Sequence, residues 1–158
     1  MLIIDSAEYL TEWMEKFLKN KDLILKKIEH IEKGEDLMIA RLRDGKEHAY
    51  LVEPFLTDVK GALERLKKYD VCSIVVFNTK ENFDTVVKNW DELAGFKRHF
   101  SIHFVNPFSN EGKRWTVYPM THSMISGRKG LKQGLESIAS NVERAERKEL
   151  ERMTAREE

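Results

Sequence analysis

Seven consecutive residues, Val71-Cys72-Ser73-Ile74-Val75-Val76-Phe77, constrain the fold more than any other stretch of this chain. The run is nearly all apolar and β-branched, which suits a central strand buried on both faces and therefore covered by helices. The flanking segments supply that cover. Thr57 or Asp58 can cap a helix that carries Val59, Ala62, Leu63, Leu66 and Tyr69 inward, and Thr79 can cap another with Phe83, Val86, Val87, Trp90 and Leu93 at helical spacing, ending at Gly95. Residues His99 to Val105 then alternate, with Phe100, Ile102 and Phe104 on one side and Ser101, His103 and Val105 on the other. This is a strand with one face more polar than the other. From Tyr50 onward the order is strand, helix, strand, helix, strand, which predicts a parallel three-stranded core with right-handed crossovers.

Ahead of that core, Asp44-Gly45 sits between two β-rich runs and marks a hairpin. A two-residue type I′ turn would pair Arg43 with Lys46. Counting outward from that turn places Asp36 directly opposite Glu53, with Cβ atoms roughly 4.5–5.5 Å apart. Two carboxylates so placed repel each other and call for a cation or a raised pKa. The fold class expected is therefore α/β: a single domain whose central mixed sheet, an N-terminal hairpin plus parallel strands, is flanked by helices.

The remaining segments attach to this frame. Asp5-Ser6-Ala7-Glu8 reads as an acid-led capping box for a helix through Tyr9, Leu10, Trp13, Met14, Phe17 and Leu18, ending near Asn20. Asp22 can cap a second helix with Leu25, Ile28 and Ile31 on one face, stopped by Gly34. Pro54 ends the second hairpin strand. After a turn-rich connection at Asn106–Gly112, a short strand at Arg114–Tyr118 is stopped by Pro119, followed by a loop and a last helix through Leu131, Leu135, Ile138 and Val142. The end of the chain is so charged that a projecting or frayed helix is expected, so residues 1–145 form the domain and 146–158 a charged tail.

A chain of 158 residues can bury a sizeable core. Its 27 basic and 27 acidic residues cancel, which argues against a generic nucleic-acid binder, but the charge is unevenly spread. Between Lys97 and Lys132 lie Lys97, Arg98, Lys113, Arg114, Arg128, Lys129 and Lys132 against the single acid Glu111, together with His99, His103 and His122. Such a segment is either a phosphate-binding face or a solvated basic surface. Ser126-Gly127-Arg128-Lys129-Gly130, ahead of the last helix, is likewise either a backbone approach to phosphate or an ordinary helix start. Either Trp115 and Tyr118 offer a base-stacking surface, or Trp115 and Val117 pack inward. The lone Cys72 lies inside the apolar run and reads as a buried, inert thiol. No run of about 18 apolar residues and no basic-then-apolar leader occurs, so a cytosolic protein without a membrane partner is expected. The single Gln amid abundant Lys and Glu is a bias found in heat-adapted organisms.

The residues Asp36-Leu37-Met38-Ile39-Ala40, Asp44-Gly45-Lys46 and Tyr50-Leu51-Val52-Glu53 together resemble the core of the PD-(D/E)xK, or restriction-endonuclease-like, nucleases, most closely small archaeal Holliday junction resolvases. The resemblance spans roughly residues 5 to 78 and its motif is short. It implies that Asp36 and Glu53 hold Mg²⁺ or Mn²⁺, that the metal activates water for phosphodiester hydrolysis, and that DNA or RNA is the partner. It also implies a Lys two residues after Glu53, where this chain has Phe55. Either Lys60 from the following helix supplies the basic group, or the site is a relic that binds without cutting. In the first case Asp36, Glu53 and Lys60 are catalytic, with Lys97, Arg98, Lys113, Arg114, His122, Arg128, Lys129 and Lys132 on the phosphate backbone. In the second the chain is a non-catalytic interaction protein, docking a protein partner through its last, C-terminal helix or its charged tail; a homodimer is a further expectation in either case.

Overall fold

The structure, a computed structural model, describes residues 6–34, 37–109, 114–126 and 130–154. Helix α1 (Ser6–Lys21) is followed by three strands, β1 (Ile28–Lys33), β2 (Leu37–Leu42) and β3 (Glu47–Val52). Then come α2 (Val59–Leu66), β4 (Val71–Phe77), α3 (Lys80–Lys88), α4 (Trp90–Ala94), β5 (His99–Val105) and β6 (Arg114–Val117). Three helices close the chain: α5 (Pro119–Ser126), α6 (Leu131–Ala139) and α7 (Arg147–Thr154). The six strands form one sheet in the order β1-β2-β3-β4-β5-β6. Strands β3, β4 and β5 are parallel, whereas β1, β2 and β6 run antiparallel to their neighbours. The α/β class, the mixed sheet and the parallel core expected from the sequence are thus present.

Two crossovers that step the same way across a sheet put their helices on the same face. Accordingly α2, α3 and α4 pack with α6 over Ala49, Leu51, Cys72, Ile74, Val76, Phe100, Ile102 and Phe104. On the opposite face α1 and α7 cover Met38, Tyr50, Val52, Val75, Phe77 and Val105. Cys72 is fully buried, and burial pushes its thiol up to about 11, as an inert packing residue requires.

Four expectations are corrected. The segment expected as a second helix is strand β1. Ile28 and Ile31 have helical spacing, but a bulge between Ile28 and His30 adds a residue and turns both side chains toward the α1-side core. Asp22 does accept backbone N–H groups, from Lys27 at 2.7 Å and Ile28 at 2.9 Å, but it closes a turn instead of opening a helix. The hairpin loop is one residue longer than a type I′ turn: Leu42 N–H donates to Lys46 O (2.8 Å) and Gly45 N–H to Leu42 O (3.0 Å). Only Gly45 of the pair has positive φ, +89°, as in a three-residue turn that ends on a left-handed glycine. Pro119 starts α5 instead of opening a loop, because its fixed φ and missing N–H suit a first helical position. Finally, the charged tail docks: Leu150 is fully buried and Ala145 is buried beside it in the α1-side core. One buried apolar side chain facing α1 seats a helix whose other described side chains are charged. Residues 155–158 lie outside the described residues.

The C-terminal segment is fastened to the sheet by one side chain, Asn78, just after β4. Its amide donates to Val142 O (3.2 Å) and Glu143 O (2.9 Å), and its carbonyl accepts the Trp115 indole N–H (2.9 Å). Its backbone adds Asn78 N–H to Val105 O and Ala145 N–H to Asn78 O. Removing the amide strands buried donors and acceptors, each costing about 1–3 kcal/mol. Asn78→Ala is therefore expected to lose about 3 kcal/mol of unfolding free energy in a urea titration at unchanged m. A loss below about 1 kcal/mol would show that water replaces the amide.

Candidate functional site

Each functional residue expected from the sequence has a definite place, apart from four. Asp36, Lys113, Arg128 and Lys129 lie outside the described residues, as does most of the Ser126–Gly130 loop. Glu53 follows β3, half-buried, and its carboxylate pairs with Arg65 of α2 at 3.6 Å. The strand register is Leu37 opposite Leu51 and Met38 opposite Tyr50, one step from the register that set Asp36 against Glu53. Register therefore supplies no reason for that pair to meet. Lys60 is exposed, and its ammonium lies 3.6 Å from Glu92 of α4. Phe55, where the resemblance implies a Lys, packs against Phe77 with ring centroids 5.7 Å apart, beneath the Arg147 guanidinium at 4.1 Å. It is a packing residue joining the sheet to α7. Among the described residues no group of three or more His, Cys, Asp or Glu side chains is placed to hold a metal ion. The described residues alone do not fit a Mg²⁺ or Mn²⁺ site.

The basic segment is dispersed over three surfaces. Arg114, on the α1 side of the sheet, lies 4.4 Å over the Phe17 ring. His122 of α5 meets Trp90 edge-on at 5.8 Å, and Lys132 is exposed on α6, both on the other side. Trp115 packs inward, stacked on Phe104 at 4.2 Å, while Tyr118 stays exposed.

Lys97 and Arg98 enter a different constellation. They line a groove of about 1060 Å³ at the N-terminal edge of β4 and β5, together with Lys46 from the hairpin turn, Lys68 and Tyr69 after α2, and His99. The elements converge there because parallel strands start at one edge, so the loops that enter β4 and β5 and the turn that enters β3 meet. The acids in the lining are Glu47 and Asp70. Glu47 accepts from Arg41 at 3.0 Å, which offsets its charge. Arg98 is held in place by donating to the Lys67 carbonyl from Nε (2.9 Å) and from a terminal nitrogen (2.6 Å). Lys68 Nζ lies 5.4 Å from the Tyr69 ring centroid. Cations around an aromatic ring in an open groove can hold phosphate and stack a base.

A second polar cluster lies inside the α1 face of the sheet. The Tyr50 hydroxyl meets His48 Nδ1 at 3.1 Å, His48 Nε2 meets Ser73 Oγ at 2.9 Å, and Ser73 Oγ meets Ser101 Oγ at 2.7 Å. Beside it, His103 Nδ1 meets Thr116 Oγ1 at 2.9 Å and an Arg114 nitrogen at 3.1 Å. Guanidinium can only donate, so His103 Nδ1 must accept and the ring is neutral. Burial first, then Lys21, depresses the His48 pKa to about 4. Burial, then Arg114, His48 and Lys21, takes His103 to about 3. Burial likewise raises the Tyr50 phenol, which therefore stays a donor. A Ser–His–Tyr chain has the connectivity of an activated nucleophile. Ser73, however, is fully buried and none of the groove-lining residues belongs to the cluster, so it orders the sheet instead of attacking a substrate. The sequence signals of this cluster were the Ser inside the apolar run and the Ser101/His103 alternation.

Comparison with protein-family models, with curated proteins and with solved structures finds no match, so the site is read from its own chemistry.

The two neutral histidines make stability depend on pH. Their folded pKa values lie below the ordinary 6.5, so below pH 6.5 the unfolded chain binds more protons than the native one. Their stabilising contribution is present above pH 6.5 and is lost as pH falls, over a window reaching about 4 for His48 and about 3 for His103. Each histidine contributes a slope of up to about 1.4 kcal/mol per pH unit. Urea titrations between those limits are expected to show that slope, reduced in His103→Gln; an equal slope in both proteins would place the titration elsewhere.

Proposed function

We propose that the protein binds nucleic acid, holding the phosphate backbone in the groove at the N-terminal edge of β4 and β5. The observation that carries this reading is the gathering of Lys46, Lys68, Lys97, Arg98 and His99 around one opening that also contains Tyr69. Regularly spaced phosphates reward several cations in one place, and an aromatic ring among them offers a stacking surface to an unpaired base. Single-stranded segments of DNA or RNA suit the groove best, because only an unstacked base can reach the Tyr69 ring.

Hydrolysis is a narrower reading, resting on the resemblance at Asp36 and Glu53. Phe55 half-buried against the core, Lys60 beside Glu92 and Glu53 beside Arg65 favour binding without cutting. Docking a partner through the C-terminal helix has less support, because Leu150, the apolar side chain of α7 in the core, is already used on α1.

The test is a gel-shift titration with single-stranded and structured DNA and RNA. If four cations meet phosphates of a single strand, log affinity should fall with log salt at a slope of about −3. Lys68→Glu with Lys97→Glu should weaken binding at least about tenfold, and Tyr69→Ala should cost about tenfold on single strands alone. Absence of binding at low salt removes the proposal. Incubation with Mg²⁺ or Mn²⁺ beside Asp36→Ala and Glu53→Ala decides the chemistry. No cleavage is expected, and cleavage lost in both variants would establish the nuclease.

A further inference from the structure

The connection between α1 and β1 presents three consecutive large apolar side chains to solvent: Leu23 is 67% exposed, Ile24 92% and Leu25 62%. Single exposed apolar residues are ordinary, but three in a row at a turn are not. The loop has no slack with which to bury them. Asp22 N–H donates to Leu18 O and Lys26 N–H to Asp22 O, while the Asp22 carboxylate accepts from Lys27 and Ile28. From the hairpin turn, Arg43 reaches across to donate to Lys26 O (2.7 Å) through its side chain and to Lys27 O (2.9 Å) through its backbone. Lys26 is also held at φ +49°, a conformation that L residues adopt only where the surroundings fix it. The apolar tip is therefore displayed by a built loop.

What surrounds the tip identifies its occupant. Lys21, Lys26 and Lys27 are exposed around it, and Lys19 stands one turn back, shared with Glu15. The nearby Asp22 spends both carboxylate oxygens on backbone N–H groups. Between α1 and β1 a groove of about 400 Å³ opens beside the tip, lined by Lys19, Asp22, Leu23, Lys26 and Ile28, with the exposed Glu29 on its β1 side. A projecting apolar point above a collar of lysines matches the layering of an anionic bilayer, acyl chains beneath negatively charged headgroups. A protein pocket would instead need a concave apolar seat with an acidic rim. We infer that the Leu23-Ile24-Leu25 loop docks the protein peripherally on anionic lipid surfaces, the three side chains entering the acyl boundary and the lysines meeting lipid phosphates. The absence of an apolar span, on which the expectation of no membrane partner rested, does not bear on such a loop: among the described residues no helix is long and apolar enough to cross a membrane, and none is needed.

Co-sedimentation of the full chain with phosphatidylcholine vesicles, alone or mixed with phosphatidylserine, tests this. Binding to the mixed vesicles and not to the neutral ones is expected. The triple variant Leu23→Ser, Ile24→Ser, Leu25→Ser should lose about tenfold or more in partitioning. Lys26→Ala with Lys27→Ala should lose about twenty-five-fold, each lysine being worth about fivefold. All substituted side chains are solvent-facing, and unchanged thermal melts would verify that both variants fold. Failure of the native chain to bind mixed vesicles overturns the proposal, as does equal binding by the triple variant, which would assign the affinity to the other cationic groove. Loss of a dimer in the triple variant, without vesicle binding in the native chain, would make a second copy the occupant and overturn it too.

Discussion

The side-chain amide of Asn78 decides which edge of the sheet is open. In α/β sheets the crevice beyond the carboxyl ends of parallel strands is the usual ligand site, because the chain leaves it uncovered. Here that edge is occupied by the protein itself. Asn78 draws in the carbonyls of Val142 and Glu143, Asn106 adds a second bond to Glu143 O at 2.8 Å, and Arg144 lies over the Phe83 ring at 4.9 Å. Arg147 then reaches over Phe55, and Leu150 sinks against α1. Asn82 completes the seal from α3 by accepting from Leu56 N–H and donating to the carbonyls of Pro54 and Phe77. With one edge closed by satisfied polar groups, the open concavity with convergent charge falls at the opposite edge, where Lys46, Lys68, Lys97 and Arg98 meet.

The polar cluster beneath α1 follows from the same economy. A sheet covered on both faces tolerates polar side chains only when each finds a partner, and among the described side chains no buried nitrogen or oxygen lacks one. Ser73 links His48 on β3 to Ser101 on β5 across the central strand, so a slip of any one strand would break the chain of bonds. Such a network gives register where a purely apolar face would leave it to packing. Its cost appears at low pH, when the histidines acquire charge in a place that cannot solvate it.

How much of this was legible depends on whether local pattern and tertiary context agreed. Strands β4 and β5 run from Val71 to Phe77 and from His99 to Val105 as the sequence implied, because an apolar run and a clean alternation carry unambiguous periods. Asp58 and Thr79 do cap α2 and α3, accepting from Gly61 N–H and Asn82 N–H, since capping is a local interaction. Strand β1 carries a helix-like pattern because its bulge imitates helical spacing over a few residues. The hairpin register was missed by one because Asp-Gly also serves a longer turn, and that single step removed the geometric case for Asp36 facing Glu53. The groove was invisible as a unit: Lys46, Lys68 and Lys97 lie far apart in sequence, and only parallel strands beginning at a common edge unite them. The basic run from Lys97 to Lys132, conspicuous in the chain, is divided by the sheet it helps to form.

A net charge of zero conceals this arrangement. Three acids beside the cationic surfaces are paired: Glu47 with Arg41 beside the groove, Glu15 with Lys33 and Lys19 along α1, and Asp22 with backbone donors under the apolar loop, while Asp70 and Glu29 line the two grooves as exposed acids. The Glu15 carboxyl is held below the usual range because its two lysines and their hydrogen bonds together outweigh the burial that would raise it. Local fields in water fall off within about 10 Å at moderate salt, so a ligand reads the nearest cations and not the molecular sum. A neutral chain can therefore present two separate positive surfaces. One is concave and aromatic, at the edge where parallel strands begin; the other is convex and apolar-tipped, where α1 turns into β1. Their shapes, more than their charges, set them apart.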